Sequence, residues 1–154
     1  MPVRIVPKFT QADIKRVIAE HMQRLEDAVI SRFQRIGEQF VTNARNKTKE
    51  QGGFGDISGN LRSSIGYLII RNGKQLTGSG FESIAGGSVG SETGKKVIEE
   101  IAAKYPTGIC LLVVAGMDYA AAVEAKSKDL LSGSSLIAIT ALKEAMQQIS
   151  KKIA

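Results

Sequence analysis

The chain has 154 residues, 43% of them hydrophobic and 23% charged, which is enough apolar content for one packed core and too much for a disordered chain. No apolar run reaches the ~20 residues needed to cross a bilayer, and residues 1–7 lack a secretory pattern, so a cytosolic protein without membrane contact is expected. The single Cys110 closes no internal disulfide and the single His21 leaves no histidine-based metal cluster, while a net charge of +6 favours an acidic partner without saying where.

Residues Gln11 to Lys47 read as one long helix. Ile14, Ile18, Met22, Leu25, Val29, Phe33, Ile36 and Phe40 recur at spacings of three or four and so share a face. Thr10 stands where an N-cap belongs, Asp13 near the positive end of the helix dipole, and Arg45 and Lys47 near the negative end. Gly37 interrupts the run at about 1 kcal/mol against alanine, which predicts a bend or a close helix contact. So long a stripe is more than a small sheet easily covers, so either part of it meets another subunit or the whole stripe is core. The opposite face mixes Lys15, Glu20, Arg24, Glu26, Asp27, Arg35 and Glu38, a pattern that suits water rather than DNA.

Gln51 to Asp56 is a glycine-bearing link in which Phe54 is a candidate anchor. Gly66 to Arg71 is β-prone, Asn72-Gly73 suits a two-residue hairpin turn, and Lys74 to Thr77 returns. Gly78 to Gly94, rich in glycine and serine, reads as a mobile excursion, after which Ser91 caps a helix over Glu92 to Lys104. Ile109 to Ala115 has no polar alternation and reads as a central strand buried on both faces. Gly116 to Asp118 turns the chain into Tyr119 to Ala125. A second loop through Lys126, Lys128 and Gly133 leads to a helix from about Ser135 to Ile153, with Leu136, Ile139, Leu142, Met146, Ile149 and Ile153 on its apolar face. The order predicts one α+β domain over 1–154: a long N-terminal helix and a C-terminal helix packed on a small, mainly antiparallel β-sheet, with flexible glycine-rich loops at about 51–57 and 78–94.

The glycine-rich stretch fails the spacings that phosphate chemistry requires. Val89 stands where a P-loop needs its first glycine, Lys96 replaces the hydroxyl residue, and Gly78-Ser79-Gly80-Phe81-Glu82-Ser83 ends a dinucleotide fingerprint on serine. His21 has no nucleophile beside it, Cys110 lies in an apolar strand as a small hydrophobe, and Glu99, Glu100 and Glu144 sit on exposed helix faces. No catalytic residue, cofactor or metal is therefore expected. Aromatics are only 5% and tryptophan is absent, which disfavours nucleic-acid binding by stacking. Arg62, Arg71 and Lys74 near Tyr67 form either a DNA-facing patch or edge charges that prevent strand pairing.

Two segments add a resemblance: Asp56-Ile57-Ser58-Gly59-Asn60-Leu61-Arg62-Ser63-Ser64-Ile65, and Ala115-Gly116-Met117-Asp118-Tyr119-Ala120-Ala121-Ala122-Val123-Glu124. The first resembles the Thr/Ser-Gly-Asn-Leu-Arg-x-Ser-Ile box, following a long N-terminal helix, of siphophage tail-completion or head-tail joining (neck) proteins. The second resembles their Tyr-Ala-x-x-Val-Glu box. After Glu124 the family commonly continues with Gly-Thr, where this chain has Ala125-Lys126. The resemblance marks Ser58, Gly59, Asn60, Leu61, Arg62, Ser64, Ile65, Tyr119, Ala120, Val123 and Glu124 as an assembly or fold motif. By their own chemistry Ser58-Gly59-Asn60 turn and cap, Leu61 and Ile65 anchor in the core, and Arg62 projects to a carboxylate. Tyr119 and Val123 anchor a short helix, leaving Glu124 for Arg62 or a neighbouring subunit.

The resemblance implies a non-enzymatic virion protein of a tailed phage or prophage, located at the head-tail junction and in the host cytoplasm during assembly. Its implied partners are other junction or tail proteins and further copies of itself in a ring near DNA, with glycine-rich loops ordering on contact. A basic DNA-binding accessory protein is the alternative, and a phosphate-ligand enzyme a third, weaker one.

Overall fold

The computed structural model describes residues 8–51, 53–125 and 131–153, with the side chains of Glu124 and Ile153 outside that description. The apolar period in the first third of the chain produces α1 (Gln11–Asn46), a 36-residue helix about 54 Å long. Its start is a capping box: the Asp13 carboxylate accepts from the Thr10 N–H (2.9 Å) and hydroxyl (2.8 Å), and the Asp13 N–H donates to Thr10 Oγ1 (3.2 Å). The Thr10 hydrogen bonds, backbone first, hold the Asp13 carboxyl below its ordinary value of 3.8. A carboxyl depressed on folding stabilises above its unfolded value, and that contribution is lost as pH falls through the folded one. Asp13→Asn is therefore expected to fray the first turn at neutral pH, as read from the NMR carbon shifts of residues 11–14, while the native chain frays there only on acidification.

The remaining elements are α2 (Asn60–Ser63), β1 (Ile65–Arg71), β2 (Lys74–Gly78), α3 (Ser88–Ala102), β3 (Ile109–Ala115), α4 (Ala120–Ala125) and α5 (Ser132–Ile153). Asn72 and Gly73 take φ of 49° and 75°, as a tight hairpin turn between β1 and β2 demands. The fold class is α+β with a three-stranded antiparallel sheet in the order β2-β1-β3.

The sheet is covered on both faces. Ile65, Tyr67 and Ile69 of β1 meet Phe40, Val41 and Ala44 of α1, with Phe54 and Leu61 completing that cluster. The alternate residues Leu68 and Ile70, with Leu112 and Val114 of β3, pack on Ile98 and Ala102 of α3 and on Phe81. The central strand is therefore β1, and the expectation that Ile109 to Ala115 forms the middle strand is corrected: among the described residues β3 is an edge. The physical reason is that an unbroken apolar run reports helices over both faces of a strand, not hydrogen-bonded neighbours on both of its sides.

Gly37 is resolved as a close contact, with a strand rather than a helix. A Cβ there would lie 2.4 Å from Tyr67 Cδ2, so the absent side chain makes room for a ring that is itself fully buried. The Tyr67 hydroxyl donates to Glu38 Oε1 at 2.7 Å, and burial, followed by that carboxylate, pushes the phenol far above its ordinary value. The tyrosine is thus a neutral donor at any working pH.

The long stripe of α1 is only partly used. A seven-residue strand spans about 23 Å, less than half of α1, and the buried part of the helix runs from Ile36 to Ala44. The helix α5 packs antiparallel to α1: Arg32 donates to Gln148 (3.3 Å), Ser134 lies by Thr42, and Ile149 lies by Leu25. Beyond that cover Ile14, Val17, Ile18 and Met22 are exposed, Ile18 at 56%. Part of the expected apolar face of α5 is open as well. Leu136 is 68% exposed and Ile139 and Met146 are about half exposed, whereas Ile149 is buried.

Candidate functional site

The first box is a latch. Gly59, at φ 73°, turns the chain into α2, and Leu61 and Ile65 insert into the α1 side of the core. Asn60 Oδ1 accepts from the Gly90 N–H at 3.1 Å. Ser63 Oγ donates to Gly59 O at 2.7 Å and accepts from the Ile84 N–H at 2.7 Å, while Ser64 Oγ donates to Leu61 O at 2.8 Å. Four residues of helix thereby hold the segment that follows β2 and the start of α3.

The stretch from Gly78 to Gly94 is thereby tied to α2 at Ile84 and Gly90, and the composition-based expectation of an excursion is corrected where it falls on α3, while Gly80, Glu82, Ser83, Ala85 and Gly86 stay exposed outside any helix or strand. Its second part, Ser88 to Gly94, is the first half of α3, and Phe81, Gly87, Gly90, Ser91 and Gly94 are buried. Ser91 caps nothing, since its hydroxyl donates to Phe81 O. Glycine here serves close approach: a Cβ on Gly90 would lie 1.8 Å from Asn60 O. Low side-chain volume signals two backbones in contact as readily as it signals a loop, and composition alone does not separate the two.

Arg62 does not project outward. Its backbone N–H donates to Asp56 Oδ2 (2.8 Å), its guanidinium donates to Lys47 O (3.3 Å), and it lies 5.5 Å from the centroid of the Phe54 ring. Its companion Arg45 donates to Ile65 O at 2.7 Å, and its pKa is lowered by burial against the opposing charges of Glu82 and Glu38. Both arginines line a polar cavity of about 500 Å³ with Glu38 and Glu82, and the Nε atoms of both are buried without a partner. Two carboxylates beside two guanidiniums leave the cavity without a dominant sign.

The second box meets the first at Tyr119. Its phenol is raised, by partial burial and then by the Asp56 charge, against a hydrogen bond with Ser58. Tyr119 is 42% exposed, so the anchoring role expected of it falls to Ala120, which is buried, and to Val123, which packs on the core from the edge. The side chain of Glu124, with residues 126–130, lies outside the described residues, and so does its expected pairing with Arg62. Ser63 and Gly90 carry as much of the latch as any motif residue, yet nothing in the sequence distinguishes Ser63 from Ser64, because its partner Ile84 is remote in the chain.

Elsewhere, His21 is exposed on α1 and Cys110 is half-buried in β3. Arg71 of the basic group pairs with Glu26 on α1 at 3.2 Å, while Lys74 is exposed at the hairpin. Among the described residues no group of three or more His, Cys, Asp or Glu is placed to hold a metal ion, and no helix is long and apolar enough to cross a membrane. No family model, curated protein or solved structure matches the chain.

Proposed function

We propose that this chain is a non-enzymatic assembly protein of a tailed phage or prophage virion, acting in head-tail joining or tail completion as one copy of a ring. The observation that carries the reading is the first third of α1, where Ile14, Val17, Ile18 and Met22 continue an apolar stripe past everything that covers it among the described residues. A soluble chain rarely leaves such a stripe open unless a partner closes it. The two boxes add the family resemblance. The hydrogen bonds that tie Ile84 and Gly90 to α2 hold part of the glycine-rich stretch in place beforehand, which lowers the entropy lost on docking.

The test is Ile14→Lys with Ile18→Lys in the intact phage or prophage. Both side chains are exposed, so stability should change by within about 0.5 kcal/mol. Joined particles counted by electron microscopy should fall at least tenfold, with unattached heads and tails accumulating. Normal yields from a stably expressed variant would refute the reading. The DNA-binding alternative is less favoured because Arg62 and Arg71 are spent inside the chain. Duplex binding with a steep salt dependence would restore it.

A further inference from the structure

The two open edges of the sheet differ. The β2 edge is five residues long, carries Lys74, and is interrupted by a bulge opposite Ile69 and Ile70, devices that discourage strand addition. The β3 edge is seven residues long and contains no charge, proline or register shift.

The hydrogen bonds flanking β3 set its phase. The Asn72 N–H donates to Gly108 O (2.8 Å) and the Gly116 N–H to Ser64 O (3.1 Å), so the pairs formed with β1 by Cys110, Leu112 and Val114 are the hydrogen-bonded ones. The N–H and C=O groups of Ile109, Leu111, Val113 and Ala115 therefore face away from β1, and among the described residues none of them has a partner. The side chains of these four residues lean toward the α1 and α5 layer and are only half-buried. Beneath the edge runs a cavity of about 420 Å³, lined among others by Leu111, Val113, Phe33, Ile139 and Leu142. An open ladder above an apolar cavity is the arrangement that accepts an added strand.

We propose that a second copy of this chain fills it, β3 pairing antiparallel with β3 about a two-fold axis at Leu112. That register sets Leu111 opposite the partner's Val113 and Ile109 opposite the partner's Ala115, so every outward N–H and C=O group is satisfied with none left over. It also places Lys104, exposed before the strand, and the partner's Asp118, exposed after it, at the same end of the pair, so each end carries both signs of charge. An acidic partner would find no cation along residues 109–115, whereas a second β3 is uncharged and of matching length. The two-fold also brings the exposed Leu136 and Ile139 of α5 toward their counterparts, because both copies of α5 lie on one side of the shared sheet. A two-fold pair is closed, so the edge is capped without growing a fibre. The inference does not depend on the head-tail reading.

Sedimentation velocity of the purified chain should show a monomer-dimer equilibrium between roughly 5 and 200 μM, the range suited to a modest interface. Val113→Pro removes an outward donor without touching the β1 ladder, and should weaken the dimer about a hundredfold or more. In the native chain the amides of Leu111 and Val113 should exchange more slowly as concentration rises, and those of β2 should not. The register is read from Leu112→Cys in a Cys110→Ser background, which should oxidise to a covalent dimer through residue 112. A chain that stays monomeric throughout overturns the proposal. So does a dimer that Val113→Pro leaves intact and that fails to protect Leu111 and Val113, a result that assigns association to the α1 stripe or to another partner's site. If Val113→Pro does not fold, the native exchange pattern decides.

Discussion

Gly90→Ala is expected to destabilise the chain by about 3–5 kcal/mol and to lower the thermal midpoint by about 6–20 °C, read by calorimetry or circular dichroism. The sign runs against local propensity, since alanine in the interior of an exposed helix gains about 1 kcal/mol over glycine. The new Cβ would stand 1.8 Å from Asn60 O and 2.6 Å from its carbonyl carbon, and neither belongs to a flexible side chain. The backbones of α2 and α3 must separate, which stretches the bond from the Gly90 N–H to Asn60 Oδ1 and opens the Ser63 bonds beside it. Asn60→Ala removes only the acceptor and should cost about 1–2 kcal/mol. If Gly90→Ala proved as mild as that, the latch would be a looser contact than the distances state.

Tyr67→Ala is expected to cost about 3–5 kcal/mol, the range for emptying a fully buried aromatic site. Its coupling to Gly37 is the more informative measurement. In the native background Gly37→Ala should destabilise by about 1–3 kcal/mol, because the added methyl meets the base of a ring held by burial and by Glu38. In the Tyr67→Ala background the same change should stabilise, since the obstacle is gone and the helix propensity term remains. A double-mutant cycle by urea denaturation should return a coupling of about 2–3 kcal/mol. Additive effects would mean that Gly37 serves a bend of α1 rather than the ring.

The local elements were legible because each is governed by neighbours in the chain. Thr10 and Asp13 stop α1 at its start through contacts three residues apart, and Asn72-Gly73 sets the hairpin by backbone angles alone. Leu61 and Ile65 could be named as core from their apolar side chains within a polar box. Partner choice was not legible in the same way. Arg62 turns to Lys47 O and over Phe54, and Tyr119 remains half open beside Ser58. These outcomes depend on where α1 ends and on what the α1–α2 link packs against. Of the candidate assembly surfaces, the length of the α1 stripe hinted at one, while the open β3 edge was hidden behind an apolar run that reads like a core strand.

What the amino-acid sequence determined by itself is the α+β class, the order of elements and the extent of α1, because hydrophobic period, caps and turn residues act over one or two turns of chain. It took tertiary contacts to make β1 rather than β3 central, to turn the glycines of α3 into contact surfaces, and to cover the α1 stripe from Leu25 onward while leaving it open before that. Those facts follow from which surfaces meet. Burial is a property of two faces at once, and a sequence pattern describes only one of them.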